Sequence, residues 1–162
     1  MKKYNYQPAL FFTALFILSA VLFSFTNKTA SSLFGGEGFE VYLNNKLVLQ
    51  QFGSKMNEVK SIQLDQSDGN GQLAIRYFHC GQPGKSRVVT IKDETNTVLK
   101  EWRFGDTKTT EAKLSCNVKD ILALPKLKSG KKVNLYYASS ELPGGRMLAV
   151  LTALNKNTAA QP

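Results

Sequence analysis

The chain has 162 residues, 43% of them hydrophobic, and a formal net charge of +9 at pH 7. Its basic residues are spread along the sequence, without the long block and interleaved aromatic residues that are typical of a nucleic-acid-binding arm. With one histidine, two cysteines and no Cys-x-x-Cys motif, the chain has too few soft ligands for a zinc site. The sequence therefore predicts no nucleic-acid partner, no metal and no cofactor.

The first 31 residues predict the compartment. Lys2 and Lys3 precede an apolar run of 17 residues, 9–25. A short basic region before an apolar core is typical of an export signal, but this length also approaches that of a membrane-spanning helix. Two alternatives follow, a signal peptide cleaved near Ser32 or an uncleaved anchor that contacts the membrane through residues 9–25 alone. Either one exports residues 32–162, with a net charge of +6, to the periplasm, the cell surface or the medium.

Residues 39–154 have the pattern of a single domain, with a linker over 32–38 before it and a disordered tail over 155–162 after it. Apolar and polar residues alternate on both sides of an asparagine turn, which predicts a hairpin over residues 39–52. A third strand is predicted around residues 61–65, where isoleucine and leucine alternate with polar side chains.

Two segments resemble ligand-binding loops in composition. Residues 65–71 are rich in Asp, Asn and Gly like a calcium loop, but the acidic spacing is wrong and no terminal glutamate follows. Residues 81–86 resemble the end of a phosphate-binding loop, but His79 stands where its first glycine is required. A β-branched strand follows the Lys-Ser pair in place of the necessary helix. Both segments are interpreted as polar turns.

Residues 72–80 and 87–93 are predicted to form a central hairpin, because both runs are apolar and rich in strand-forming residues. Side chains alternate along a strand, so His79 and Cys80 are expected on opposite sides. They therefore do not make a Cys–His nucleophile pair, and His79 is interpreted as a strand-end histidine. Cys80 and Cys116 are either a disulfide, which an exported protein can form, or two buried free thiols.

The second half of the chain continues the β pattern. Residues 98–104 predict a strand with Val98, Lys100, Trp102 and Phe104 on one face. Asn117 is predicted to cap a short helix that ends at a proline.

Two further strands follow this helix in the sequence. Residues 133–137 alternate, and residues 147–154 are almost entirely apolar. A turn is predicted at residues 142–145, which read Leu-Pro-Gly-Gly. Eight or nine short strands, separated by turns and accompanied by one short helix, predict an all-β fold. We expect an antiparallel β-sandwich or jelly roll, preceded by the N-terminal signal or anchor helix.

Several surface features are candidate contacts. Four lysines (Lys126, Lys128, Lys131 and Lys132) form the one dense basic cluster, interpreted as a solvated loop or as a region attracted to anionic envelope surfaces or polyanionic glycans. The candidate ligand-contacting aromatic residues are Tyr42, Trp102 and Tyr136, with core packing as the alternative for Trp102 and sheet covering for the tyrosines.

Three segments carry a resemblance to known sequences. They are Phe39–Leu47, residues 78–93 from Phe-His-Cys-Gly to Lys-Asp, and Leu-Pro-Gly-Gly-Arg-Met-Leu-Ala at 142–149. Together they resemble a group of small exported bacterial proteins without an assigned activity. The resemblance covers most of residues 38–151. It implies export and a β fold, and it brings no site residues.

Three functions are compatible with this sequence. The first is a non-enzymatic extracytoplasmic module that binds a protein, a glycan or another envelope component. The second is a small secreted hydrolase, in which His79 would have to serve any serine triad; the scattered glutamates offer no glycosidase pair. The third is a membrane-tethered structural or sensor domain. No catalytic residue is predicted, so the first function is preferred.

Overall fold

The computed structural model describes residues 36–154. The chain divides into two units, residues 1–32 and 33–162, and all described residues belong to the second. The predicted signal or anchor, the start of the linker and the tail lie outside the described residues. Between residues 36 and 154, no helix is long and apolar enough to cross a membrane.

Nine strands and a few short helices make up this part of the chain. The helices are two 3₁₀ helices, Gly53–Asn57 and Gln66–Asn70, and two α-helices, α1 (Val118–Leu122) and α2 (Pro125–Lys128). The strands are β1 (Gly38–Leu43), β2 (Lys46–Phe52), β3 (Lys60–Leu64), β4 (Gln72–Phe78), β5 (Arg87–Lys92), β6 (Val98–Phe104), β7 (Leu114–Asn117), β8 (Val133–Ser139) and β9 (Leu142–Ala153).

The strands form two sheets, one of four strands in the order β2-β1-β4-β7 and one of five in the order β3-β9-β8-β5-β6. The prediction of an all-β fold is confirmed at this level. The antiparallel prediction holds throughout the four-stranded sheet. It is wrong for β3, which pairs with β9 in parallel. These two strands are far apart in sequence, so no tight hairpin turn constrains their direction.

Both sheets contribute to one hydrophobic core. Alternation along each strand turns every second side chain inward, and α1 adds three apolar residues. Leu135 of β8 and Ile75 of β4 are fully buried and represent the two inner faces. Further fully or almost fully buried residues are Phe39, Val41, Leu64, Leu73, Val89, Ile91, Leu114, Ile121, Leu127, Tyr137 and Leu151.

The predicted central hairpin is wrong. β4 pairs with β1 and β7, whereas β5 pairs with β6 and β8 in the other sheet. β4 therefore has no free edge for β5. The intervening loop changes direction through left-handed backbone at Cys80 (φ 51°), Gly81 (φ 84°) and Ser86 (φ 47°). The segment between β4 and β5, which the sequence predicts to be a tight hairpin turn, is therefore the connection from one sheet to the other.

Several other local predictions also need correction. A register shift between Ile91 and Lys92 moves Val98 away from the face of Trp102, and Val98 is 51% exposed. The chain reverses between Ser139 and Leu142, so the predicted turn at 142–145 already belongs to β9. Asn117 does precede α1, but its side chain makes no capping hydrogen bond. The prediction that a proline ends this helix is wrong, because α1 ends at Leu122 and Pro125 begins α2.

The disulfide alternative is not realised, and Cys80 and Cys116 are free thiols. The prediction that both thiols are buried is confirmed for Cys116 and wrong for Cys80, which is exposed. Cys116 pairs across the sheet with Leu73, and Cys80 lies seven residues farther along the chain from Leu73. At ~3.3 Å per residue this separation is on the order of 20 Å. A disulfide needs Cα atoms within about 7 Å. The structure therefore keeps the two thiols apart.

We expect Leu135→Ala to lower the free energy of unfolding by about 2–5 kcal/mol, because it opens a cavity between the sheets. The matched control is Leu47→Ala on β2, whose side chain is 43% exposed and whose loss should change stability by no more than about 0.5 kcal/mol. Urea unfolding of both variants measures the difference. Equal effects would contradict the shared core.

The native protein should be alkylated at Cys80 alone, because Cys80 is exposed and Cys116 is buried. Burial also raises the pKa of the Cys116 thiol to about 12, which suppresses the reactive thiolate. Intact mass after iodoacetamide treatment should show one adduct when folded and two in denaturant without reductant. A protein two hydrogens lighter and resistant to alkylation would contradict the structure.

Candidate functional site

The three candidate aromatic residues do not form one surface. Tyr42 lies on β1 of the four-stranded sheet, whereas Trp102 and Tyr136 lie on β6 and β8 of the other. Trp102 packs, partly buried, against the hydrophobic core. The position of Trp102 therefore agrees with the core-packing alternative and not with an exposed surface on which a ligand would stack.

Tyr42 belongs to a charged network on the outer side of the four-stranded sheet. Its hydroxyl donates to Glu40 Oε2 over 2.7 Å, and the Lys113 ammonium lies 3.6 Å from its ring centroid. Arg76 contacts Glu40 over 3.6 Å and also pairs with Glu111. Each charged group in this network already has a partner. Tyr42 is therefore engaged within the protein.

Tyr136 lies on β8, an inner strand of the five-stranded sheet. The Lys92 ammonium is 4.6 Å from its ring centroid, and its hydroxyl is 3.5 Å from Asn96 Oδ1. Lys92 pairs with Asn134 across β5 and β8. This pairing brings the turn after Lys92 next to the loop before β8, and the cleft opens between them.

We name this feature the lysine cleft. It has a volume of about 420 Å³, which falls within the range of ~300–1,000 Å³ common for small-molecule sites. Its lining residues are Asp93, Glu94, Lys126, Gly130, Lys131 and Lys132.

The predicted lysine cluster is divided by the structure. Lys126, Lys131 and Lys132 line the lysine cleft, whereas Lys128 lines a different depression with Lys119. Lys128 is the last residue of α2, and the chain then turns back through Gly130 with φ of 75°. The amide of Lys131 donates to the Lys126 carbonyl over 2.9 Å, which closes this turn. The four lysines are close in sequence, and that closeness did not predict that Lys128 lies in a different depression from the other three.

Asp93 builds the opposite wall of the cleft. Its Oδ1 accepts hydrogen bonds from the Thr95 hydroxyl, the Thr95 amide and the Thr97 amide. The hydrogen bond from the Thr95 hydroxyl, reinforced by the two amides, lowers the pKa of Asp93 to about 2. Its Oδ2 also pairs with Lys126 Nζ at 3.4 Å. Asp93 is therefore a fixed anion that orders the turn.

Lys131, Lys132 and Glu94 leave the cleft chemically open. All three are exposed, and their side chains make no ion pair or hydrogen bond with any residue from 36 to 154. The cleft thus combines two unpaired ammonium groups with one unpaired carboxylate. The sequence pattern marks the lysines but gives no sign of Asp93 and Glu94, because their proximity to the lysines depends on the pairing of β5 with β8.

His79 lies in a second polar cluster, at the end of the domain where the chain crosses between sheets. Its Nε2 is 2.8 Å from the Tyr137 hydroxyl and 3.4 Å from Ser139 Oγ. The Tyr77 and Tyr137 rings stack with centroids 4.4 Å apart, and His79 is tilted against both. The sequence offered no signal for this cluster, since its members come from different sheets.

The Ser139–His79 contact lacks the features of a catalytic pair. Ser139 is buried, and its Oγ accepts the Leu142 amide over 3.2 Å at the β8–β9 turn. Within residues 36–154, His79 makes its hydrogen bonds through Nε2, and no carboxylate holds its Nδ1 as a triad requires. These contacts fit a structural role at the turn.

Glu37 and Arg146 extend this cluster. The Tyr77 hydroxyl donates to Glu37 Oε1 over 2.5 Å, and Arg146 donates to the same hydroxyl over 3.1 Å. Arg146 also pairs with Glu37 at 3.4 Å. The three groups link the start of β1 to β9 and satisfy one another.

No protein family model and no curated protein matches the chain. Among the described residues, no group of three or more His, Cys, Asp or Glu side chains is placed to hold a metal ion.

Protonation of His79 should destabilise the protein. The pKa of His79 is lower than the usual 6.5, mainly because burial disfavours the charged imidazolium. The negative charges of Glu141 and Glu37 act in the opposite direction and raise this pKa, but their effect is smaller. The unfolded chain therefore binds a proton at higher pH than the folded chain, so the free energy of unfolding should fall as the pH drops from 7.5 towards 5. Urea unfolding at several pH values measures this slope.

His79→Gln is the control, because it keeps a hydrogen-bonding partner for Tyr137 and removes the only histidine of the chain. The variant should lose most of the pH dependence above pH 5.5. An unchanged slope would show that another group is responsible.

Proposed function

We propose that this protein is an exported, non-enzymatic β-sandwich module that binds a component of the cell envelope at the lysine cleft. The observation that carries the proposal is that Lys131 and Lys132, at a concave site, make no ion pair or hydrogen bond with any side chain of residues 36–154. Export is supported by the basic and apolar pattern of residues 1–31. The two sheets with a common core support the sandwich architecture.

Electrostatics favour this site over the other candidate surfaces. The charges around Tyr42 are paired within the protein, so a ligand there would have to break existing contacts. An ammonium group without a partner keeps its full attraction for an incoming anion. The positive net charge of the chain adds a long-range attraction in the same direction.

A small hydrolase is the second candidate, and the contact of Ser139 with His79 is the observation in its favour. The buried position of Ser139 and its role as acceptor for the Leu142 amide weigh against it. A membrane-tethered domain would use the same lysine cleft and would differ only in keeping residues 9–25.

Binding of the purified exported protein to isolated cell envelopes tests the proposal. We expect saturable co-sedimentation, which Lys131→Glu combined with Lys132→Glu should weaken by about tenfold or more, equivalent to ~1.4 kcal/mol. The matched control reverses the charge of two exposed lysines outside the cleft, Lys55→Glu with Lys108→Glu. Equal losses in both double variants would mean that net charge, and not the cleft, determines binding. No binding by the wild type would contradict the proposal.

A further inference from the structure

We infer that the ligand of the lysine cleft is an acidic saccharide, meaning a glycan with carboxylate or sulfate groups on hydroxyl-bearing rings. This inference rests on the proposed function and specifies its ligand. It follows from the mixture of charges in the cleft. A purely anionic ligand would gain from the lysines but would be repelled by Glu94 and Asp93.

Three of the lining side chains, those of Lys131, Lys132 and Glu94, match different chemical groups of such a saccharide. Lys131 and Lys132 can donate to a carboxylate or sulfate, which is the charge-assisted form of a hydrogen bond. The two carboxylate oxygens of Glu94 accept no hydrogen bond from residues 36–154, and ring hydroxyls are the donors that suit them. Asp93 and Lys126 pair with each other at 3.4 Å and hold the two walls in place. The lining therefore accepts an anion and a hydroxyl group side by side.

The position of the cleft allows a saccharide longer than one ring. Asp93 directly follows Lys92, whose ammonium lies over Tyr136 on the outer face of the five-stranded sheet. Asn96, in the same turn as Asp93, contacts the Tyr136 hydroxyl over 3.5 Å. A second acidic ring could thus lie next to Lys92. Tyr136 then acts by holding Lys92 in position, because the ammonium already covers its ring.

Other anionic partners fit this lining less well. A lipid surface presents phosphates in a plane, whereas the cleft is concave and has carboxylates in its wall. A nucleic acid would require several aromatic or basic contacts along a groove, and the Tyr136 ring is covered by Lys92. These two classes are therefore alternatives that the experiment must separate.

Binding of the exported protein to defined polymers tests the inference. The acidic saccharides are polygalacturonate, which carries carboxylates, and heparin, which carries sulfates. Dextran is the neutral saccharide. Polyacrylate carries carboxylates but no ring hydroxyls, and phosphatidylglycerol vesicles and single-stranded DNA represent the other anionic partners. We expect at least one acidic saccharide to bind more tightly than the rest, with an affinity that falls as salt rises.

Two variants distinguish recognition from simple charge attraction. Lys131→Glu with Lys132→Glu should weaken binding of the acidic saccharide by about tenfold or more, or ~1.4 kcal/mol, and the Lys55 and Lys108 control should not. Glu94→Ala should weaken the acidic saccharide, because hydroxyl acceptors are lost, and should strengthen polyacrylate, because a repelling charge is lost.

Several results would overturn the inference. Tighter binding of both polymers by Glu94→Ala would mean non-specific attraction, and a preference for vesicles, DNA or dextran would assign another ligand class. If neither acidic saccharide binds while the double lysine variant still loses envelope binding, the cleft functions but its ligand is not an acidic saccharide. If envelope binding is also unaffected, the proposed function fails as well.

Discussion

Each of the two sheets has an apolar face that must be shielded from water, and these two faces pack against each other. Burying the inner side chains of both sheets removes a large apolar area from water, at roughly 25 cal/mol for each Å². The chain must therefore cross repeatedly from one sheet to the other. The loop after β4 makes one such crossing, with Cys80, Gly81 and Ser86 in left-handed backbone. His79, Tyr77 and Tyr137 pack at this crossing, so the only histidine of the chain serves the junction between the sheets.

The edge strands of both sheets are short or irregular, and these features limit their pairing with strands of other chains. β3 and β7 are short, with five and four residues. β1 and β2 shift register beside Tyr42, and β5 and β6 shift register beside Lys92. Such irregularities twist an edge and interrupt its row of hydrogen-bonding groups. If this domain binds a partner, contacts through surface side chains are therefore favoured over the addition of a partner strand to a sheet edge.

The lysine cleft depends on the pairing of β5 with β8. This pairing places Asp93 and Glu94 opposite Lys131 and Lys132, although almost forty positions of sequence separate the two pairs. Asp93 then fixes the turn through its hydrogen bonds to Thr95 and Thr97 and holds Lys126 across the opening. Asp93 and Lys126 are paired with each other, whereas Lys131, Lys132 and Glu94 make no ion pair within residues 36–154. That division is the physical basis for the proposal that the latter three groups contact a ligand.

Local patterns in the sequence determined most of the strands, the short helix after Asn117 and the β class, because alternation and turn residues act over a few positions. They also marked the lysines of residues 126–132. Tertiary structure alone decided that β4 and β5 belong to different sheets, that β3 runs parallel to β9, and that Cys80 and Cys116 lie apart. It also divided the lysine cluster and added Asp93 and Glu94 to the site. The reason is that strand partners are selected by burial of whole faces, and a short segment does not encode which distant strand will cover it.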